Sequence, residues 1–385
     1  MMKKIIAGRI FLALFLFLAQ GCGSGEQPCE QVRDKLDRRD INNLVHIYVD
    51  SSESMAGFIE AQGASPYKVF VTEQLPYIMT WHAEYKLFGF QETIHPVGHV
   101  SSFSRKDFYC GKDTLFAGAL RTVIQEEPKA FMIISDLVVS PGASGAGERK
   151  DVIRLIHELT IAGYGFRLVG MKSPFQGRAY SESNLVQGVN MHYIGKADVA
   201  DRPFYLLIGY KRGIVNPDSV VRLSDNFITE KADFGNIVGV GSIKLAVPTG
   251  SLLSKRKTGS SCDVVKWRSA GGANSTEIIF TVDIDDSFEF LGIADKEGIM
   301  RMVGQPRLQE GKKWDVRAEV FQGQPYYVVD FLFRPAKADT LPRWIQDWST
   351  RDDSVREKYN LTYGLEDFVG SAMLGVKRYI LAVEN

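Results

Sequence analysis

The chain has 385 residues, 45% apolar and 24% charged, which excludes a disordered polymer, a fibrous repeat and a bundle of membrane spans. Lys plus Arg and Asp plus Glu balance at 46 each, so no global basic field exists to hold nucleic acid. At this length a single core is too large, and two domains are expected.

The first segment reads as a processing signal. "MMKK" is a short basic region, the following run is apolar between Arg9 and Gln20, and "GCGSGEQ" comes next. That run is too short for a comfortable membrane span and fits a signal-peptide core. Cys22 directly after a glycine resembles a bacterial lipobox, although Ala19 and Gln20 depart from its commonest residues. Residues 1–21 are therefore expected to be a lipoprotein signal peptide, Cys22 the lipidated residue, and 22–40 a tether. The rival is an ordinary cleaved or anchoring segment. Removing Cys22 leaves Cys29, Cys110 and Cys262, enough for one disulfide and one free thiol, with the pairing open.

From 41 to 175, strand-like and helix-like stretches alternate. "NLVHIYVD" is a continuous apolar run of buried-strand length. "SPYKVFVTEQLPYIMTW" has roughly helical spacing, with Pro66 suited to the first turn and Pro76 expected to kink or end it. "EYKLFGFQETIHPVG" is a strand or hairpin. "DTLFAGALRTVIQEE" predicts a helix capped by Asp113 or Thr114, with Leu115, Ala119, Leu120, Val123 and Ile124 on its inner side. "KAFMIISD" is a second buried strand ending in Asp. "ERKDVIRLIHELTIAG" is an amphipathic helix and "GFRLVGMKS" another strand. The alternation predicts an α/β, Rossmann-like doubly wound domain over 41–175.

Beyond it, 176–200 reads as a linker. Short strand-like runs over 201–340, starting with "RPFYLLIGYK", predict a mostly antiparallel β-rich, sandwich-like domain. Residues 341–385 are expected to form C-terminal helices and a last strand, with Trp344 and Trp348 packing on the β-rich domain.

The chemistry gathers at the first strand. Asp50, Ser52 and Ser54 alternate just after it, where ligand sites of open parallel sheets lie. Asp136 ends the second Asp-terminated strand and reaches the same edge, and Thr114 starts a helix beside it. Two carboxylates and three hydroxyls form an all-oxygen set suited to a hard cation, Mg²⁺ or Mn²⁺, that keeps waters and one open position.

The stretches "DSSES", "DTL" and "SD" resemble the metal ion-dependent adhesion site of von Willebrand factor type A (vWA) domains. Residue by residue the match is Asp50, Ser52, Ser54, Thr114 and Asp136. The resemblance implies a domain that captures an acidic residue of a protein partner through the cation. Glu53 and Leu137 depart from the pattern, standing where the family commonly has glycine.

Other candidates are weaker. His95 and His99 cannot share a helical face across Pro96 and Gly98. "DIDDSFEF", from Asp283 to Phe290, lacks the spacing of a calcium loop and reads as a turn. The basic cluster of Lys255, Arg256, Lys257, Lys266 and Arg268 reads as a solvated loop. No nucleophile elbow, Walker loop or dinucleotide glycine loop occurs. The sequence therefore predicts a lipid-anchored protein of the bacterial envelope, facing periplasm or surface from the outer membrane. It is expected to bind a protein partner, not nucleic acid, and not to be an enzyme. The alternatives are a scaffold holding a structural ion, and a metal-dependent phosphoesterase or hydrolase.

Overall fold

In a computed structural model, the described residues are 43–384, apart from 83, 139–146, 187–192, 225–226, 237–238, 240, 247–252, 259–261, 268–274, 295–299, 310 and 322–325. The signal peptide, Cys22, Cys29 and the tether fall outside them, as do the side chains of Lys255, Arg256, Lys257 and Arg268. The fold is mixed α/β and strand-rich.

The first sheet has seven strands in the order β3-β2-β1-β4-β6-β5-β7. They are β1 (Leu44–Asp50), β2 (Glu84–Phe90), β3 (Ile94–Pro96), β4 (Ala130–Ser135), β5 (Tyr164–Tyr180), β6 (Tyr193–Lys211) and β7 (Glu230–Phe234). β1 runs parallel to β2 and β4, whereas β6 is antiparallel to both β4 and β5. The carboxyl ends of β1, β2, β4 and β5 therefore share one edge.

Helices cover both faces, so β1 and β4 are buried at every position and mostly apolar. On one face Val45, Ile47 and Val49 pack with α1 (Glu53–Glu60) and α2, the helical run Pro66–Val69, Phe70–Gln74 and Leu75–Met79. The middle of α2 is a π-turn, so Pro76 is accommodated at the start of a new segment without ending the helix. On the other face Tyr48, Phe131 and Ile133 pack with α3 (Phe116–Glu126) and α4 (Gly147–Ile161). The inner side of α3 is Phe116, Ala117, Ala119, Leu120 and Val123, while Leu115, expected inside, is exposed.

Two five-stranded sheets form the second unit. One joins β12 (Phe288–Ala294), β16 (Tyr326–Pro335), β19 (Gly375–Glu384), β10 (Cys262–Trp267) and β9 (Leu253–Thr258). The other joins β13 (Met300–Met302), β15 (Lys313–Phe321), β11 (Ser275–Asp283) and β8 (Lys244–Ala246), with β14 (Arg307–Gln309) also on β15. Alternate residues of both meet in one core, including Phe280, Val316, Phe331 and Tyr379.

Three boundaries differ from the sequence expectation. Residues 176–200 are not simply a linker: β5 continues to Tyr180 and β6 begins at Tyr193 as its antiparallel partner. "RPFYLLIGYK" belongs to β6 in the first sheet, because an apolar run predicts a buried strand without naming its neighbour. The tail returns to the first unit, where α5 (Arg343–Asp347) and α6 (Leu365–Ala372) place Trp344, Ile345, Phe368 and Val369 in its core. Trp344 and Trp348 lie over Gly170 of β5, where a side chain would clash with both rings. Buried Arg212 helps join the units, donating to the carbonyls of Gly235 and Thr160 at 2.7 Å and facing Asp330 at 3.9 Å.

Candidate metal centre

Asp50 is fully buried at the end of β1. Its Oδ1 accepts from the Ser52 backbone N–H at 2.9 Å, and its Oδ2 accepts from the Ser135 hydroxyl at 2.8 Å. Thr114 Oγ1 stands 3.5 and 3.4 Å from the two oxygens. The Thr114 hydroxyl thus faces Asp50, and α3 has no side-chain cap bond. The next residues are set by the neighbouring loop: Glu53 N–H donates to Gly111 O at 2.7 Å, and Gly111 N–H to Ser51 O at 3.1 Å. This places Ser52 and Ser54 side by side, their hydroxyls 3.0 Å apart.

Asp136 follows β4 and is also buried. Its Oδ1 accepts from Val138 N–H at 3.2 Å, and its Oδ2 lies 3.3 Å from Arg202 Nη2 on β6. The guanidinium sits 4.4 Å from the centre of the Phe175 ring. Leu137 has φ +55°, the left-handed region that glycine favours, so the loop keeps a glycine-like turn. The side chain packs into the core beneath, offsetting the strain of about 1–2 kcal/mol.

Burial raises the Asp50 carboxyl to about 7, and the neighbouring charge of Asp136 adds to the effect. A buried carboxylate this costly to ionise invites a proton or a cation. Among the described residues no group of three or more His, Cys, Asp or Glu is placed to hold a metal. A metal here would rest on two carboxylates and the hydroxyls of Ser52, Ser54 and Thr114. That oxygen set fits Mg²⁺ or Mn²⁺ better than softer ions.

Segments distant in sequence wall the site. The cavity, about 50 Å³, is lined by Ser52, Ser54, Thr114, Asp136, Arg202 and Lys358, among others. The volume leaves room for about one or two water-sized groups. On one side the β5–β6 hairpin projects past α1. There Arg178 and Tyr180 hold Glu53 Oε2 at 3.0 and 2.7 Å, so the extra acid already has partners. Above lies the tail loop between β17 (Ser349–Thr350) and β18 (Thr362–Tyr363). It is anchored by Asp353, which accepts from the hydroxyls of Ser181 and Ser183 at 2.9 and 2.8 Å.

All five residues singled out in the sequence lie around one edge. Arg202, Lys112, Tyr180 and Lys358 are further members that nothing in their local pattern marks, and Ser135, the serine of "SD", is one to which the sequence assigns no role. The remaining candidates have structural roles. His99 accepts from Ser101 N–H as a turn cap, and His95 packs near Phe108. Asp285 accepts from Ser287 N–H in the turn between β11 and β12. Cys110 is a free, exposed thiol, while Cys262 is disulfide-bonded. No helix among the described residues is long and apolar enough to cross a membrane.

Comparison with known proteins finds no matching family model, no matching curated protein and no matching solved structure.

Proposed function

We propose that the first unit is a vWA-like, doubly wound domain that captures a protein partner through a divalent cation. Asp50, Ser52, Ser54, Thr114 and Asp136 would hold Mg²⁺ or Mn²⁺, in part through water, and the ion supplies a position for a partner's carboxylate. One observation carries this reading. A fully buried aspartate at a strand end faces a threonine hydroxyl, beside two adjacent serine hydroxyls and a second buried aspartate. Lipidation at Cys22 would tether the protein to the bacterial envelope, most naturally the outer membrane, with the β-rich unit as spacer or brace.

Calorimetry of the full chain tests it. Mg²⁺ or Mn²⁺ should bind one site per chain, and Asp136→Ala should abolish the heat. No uptake by the folded protein refutes the reading. Partner capture from envelope extract that survives EDTA favours the scaffold instead.

The Asp136–Arg202 pair supports a second reading, in which the guanidinium serves in place of a metal and the cavity binds an anion directly. The same calorimetry separates the two, because anion binding would then be indifferent to EDTA.

A further inference from the structure

We propose that Arg202 is the second anchor for the incoming carboxylate, taking one of its oxygens while the cation takes the other. This rests on the cation-dependent reading above and adds a residue to it. Arg202 lines the same cavity as Ser52, Ser54, Thr114 and Asp136. Its side chain is 12% exposed and Asp136 is 2% exposed, so the pair sits inside the site, not on its rim.

The geometry leaves the guanidinium with donors to spare. It carries five N–H groups in a planar fork. Among the described residues it spends one contact on Asp136, at 3.3 Å, and its Cζ lies 4.4 Å from the Phe175 ring centre. This cation–π contact holds the guanidinium over the ring without consuming a donor. A fork held this way suits a planar carboxylate better than a point charge does.

Charge argues in the same direction. A guanidinium beside a bound dication weakens that ion's binding, so a role confined to the ion would favour its removal. The repulsion is offset once a carboxylate enters between the two positive groups. Lys112 and Lys358 line the same cavity but are balanced there by Glu182 and Asp353, which leaves Arg202 and the ion as the groups that draw the anion.

The test uses the full chain in detergent, Mn²⁺, and two short peptides that differ only in carrying Glu or Gln at the centre. Electron paramagnetic resonance counts free Mn²⁺, and water-proton relaxation reports displacement of Mn²⁺-bound water. The wild type should lose relaxation enhancement with the Glu peptide and not with the Gln peptide. Arg202→Gln should hold Mn²⁺ as tightly or more tightly, while its affinity for the Glu peptide falls ten-fold or more. Arg202→Lys, which keeps the charge and loses the fork, should fall between.

Arg202→Gln with unchanged peptide affinity would overturn the proposal and leave the metal site standing. So would weakened Mn²⁺ binding in both variants, which would make Arg202 a support for Asp136 only. Failure of the wild type to take up Mn²⁺ would overturn both readings. A wild type that binds Mn²⁺ and ignores the Glu peptide overturns this one. If Arg202→Gln does not fold, the Lys variant decides the outcome.

Discussion

Replacing Asp50 by Asn should make the metal-free protein more stable at pH 8, although it removes a proposed ligand. The Asp50 carboxyl rises from an ordinary 3.8 to about 7, first through burial and then through Asp136. Because the folded value exceeds the unfolded one, the folded state binds the proton more tightly. Its contribution is most favourable below about pH 4, declines as pH rises to about 7, and is flat above that. That rise in the Asp50 value corresponds to roughly 4 kcal/mol. Asn mimics the protonated acid and can keep the local contacts. Its carbonyl accepts from Ser52 N–H, and its amide donates to the hydroxyls of Ser135 and Thr114. Urea unfolding in EDTA from pH 4.5 to 8.5 would read the difference between variant and wild type. The gain should approach 4 kcal/mol at pH 8 and shrink toward the acid end. Adding Mg²⁺ at 100 times its dissociation constant should stabilise the wild type by about 2.7 kcal/mol and leave the variant unmoved. A variant less stable than the wild type at pH 8 in EDTA, or a difference that does not change with pH, would refute the argument.

Gly209→Ala should destabilise the first sheet by about 3 kcal/mol in denaturant unfolding, because the added carbon would lie 2.1 Å from the Phe131 ring on the paired strand. A neutral result would mean that β4 and β6 are not in this register. Arg212→Met strips the charge that faces Asp330 and leaves two buried carbonyls without their donor; a loss of about 3–5 kcal/mol is expected, and a loss below about 1 kcal/mol would show that the joint does not depend on it. Asp353→Ala removes the acceptor for Ser181 and Ser183, so limited proteolysis should cut within 351–361 faster than in the wild type, and an unchanged rate would dissociate the loop from this anchor.

The parts of the site carried by strand ends could be read directly from sequence. "VHIYVD" and "FMIISD" are apolar through to an aspartate, and a polar residue at that boundary is conspicuous. Thr114 stands out only beside Asp50; alone it looks like a cap. The walls left no such trace. Residues 176–200 mix charges, glycine and small residues, so they read as a linker, although the β5–β6 ladder carries their ends. The place of β6 between β4 and β5 depends on partners far along the chain, which strand periodicity does not encode. Trp344 and Trp348 share a helical face, but its target is the slot opened by Gly170, and a single glycine in a strand does not announce what fills it. Leu115 is exposed because it is the N-cap and lies outside the helical turns, which begin at Phe116; Ala119, Leu120 and Val123 face inward as the spacing predicts.

Formal charge ties the distant wall to the proposed chemistry. Asp50 and Asp136 bring two negative charges, and Arg202 returns one; Glu53 and Arg178 cancel beside them. The cavity without a cation thus carries one net negative charge, and the raised Asp50 carboxyl lets a proton cancel it. A dication in place of the proton leaves one positive charge in a buried space, a state that favours one further anion over water. A single partner carboxylate restores balance. With glutamine at 202 the loaded cavity would already be neutral, so the drive to recruit an acid would weaken even where the metal bound more tightly. On the proposed reading, Arg202 of β6 would convert a cation site into one that requires an acidic ligand.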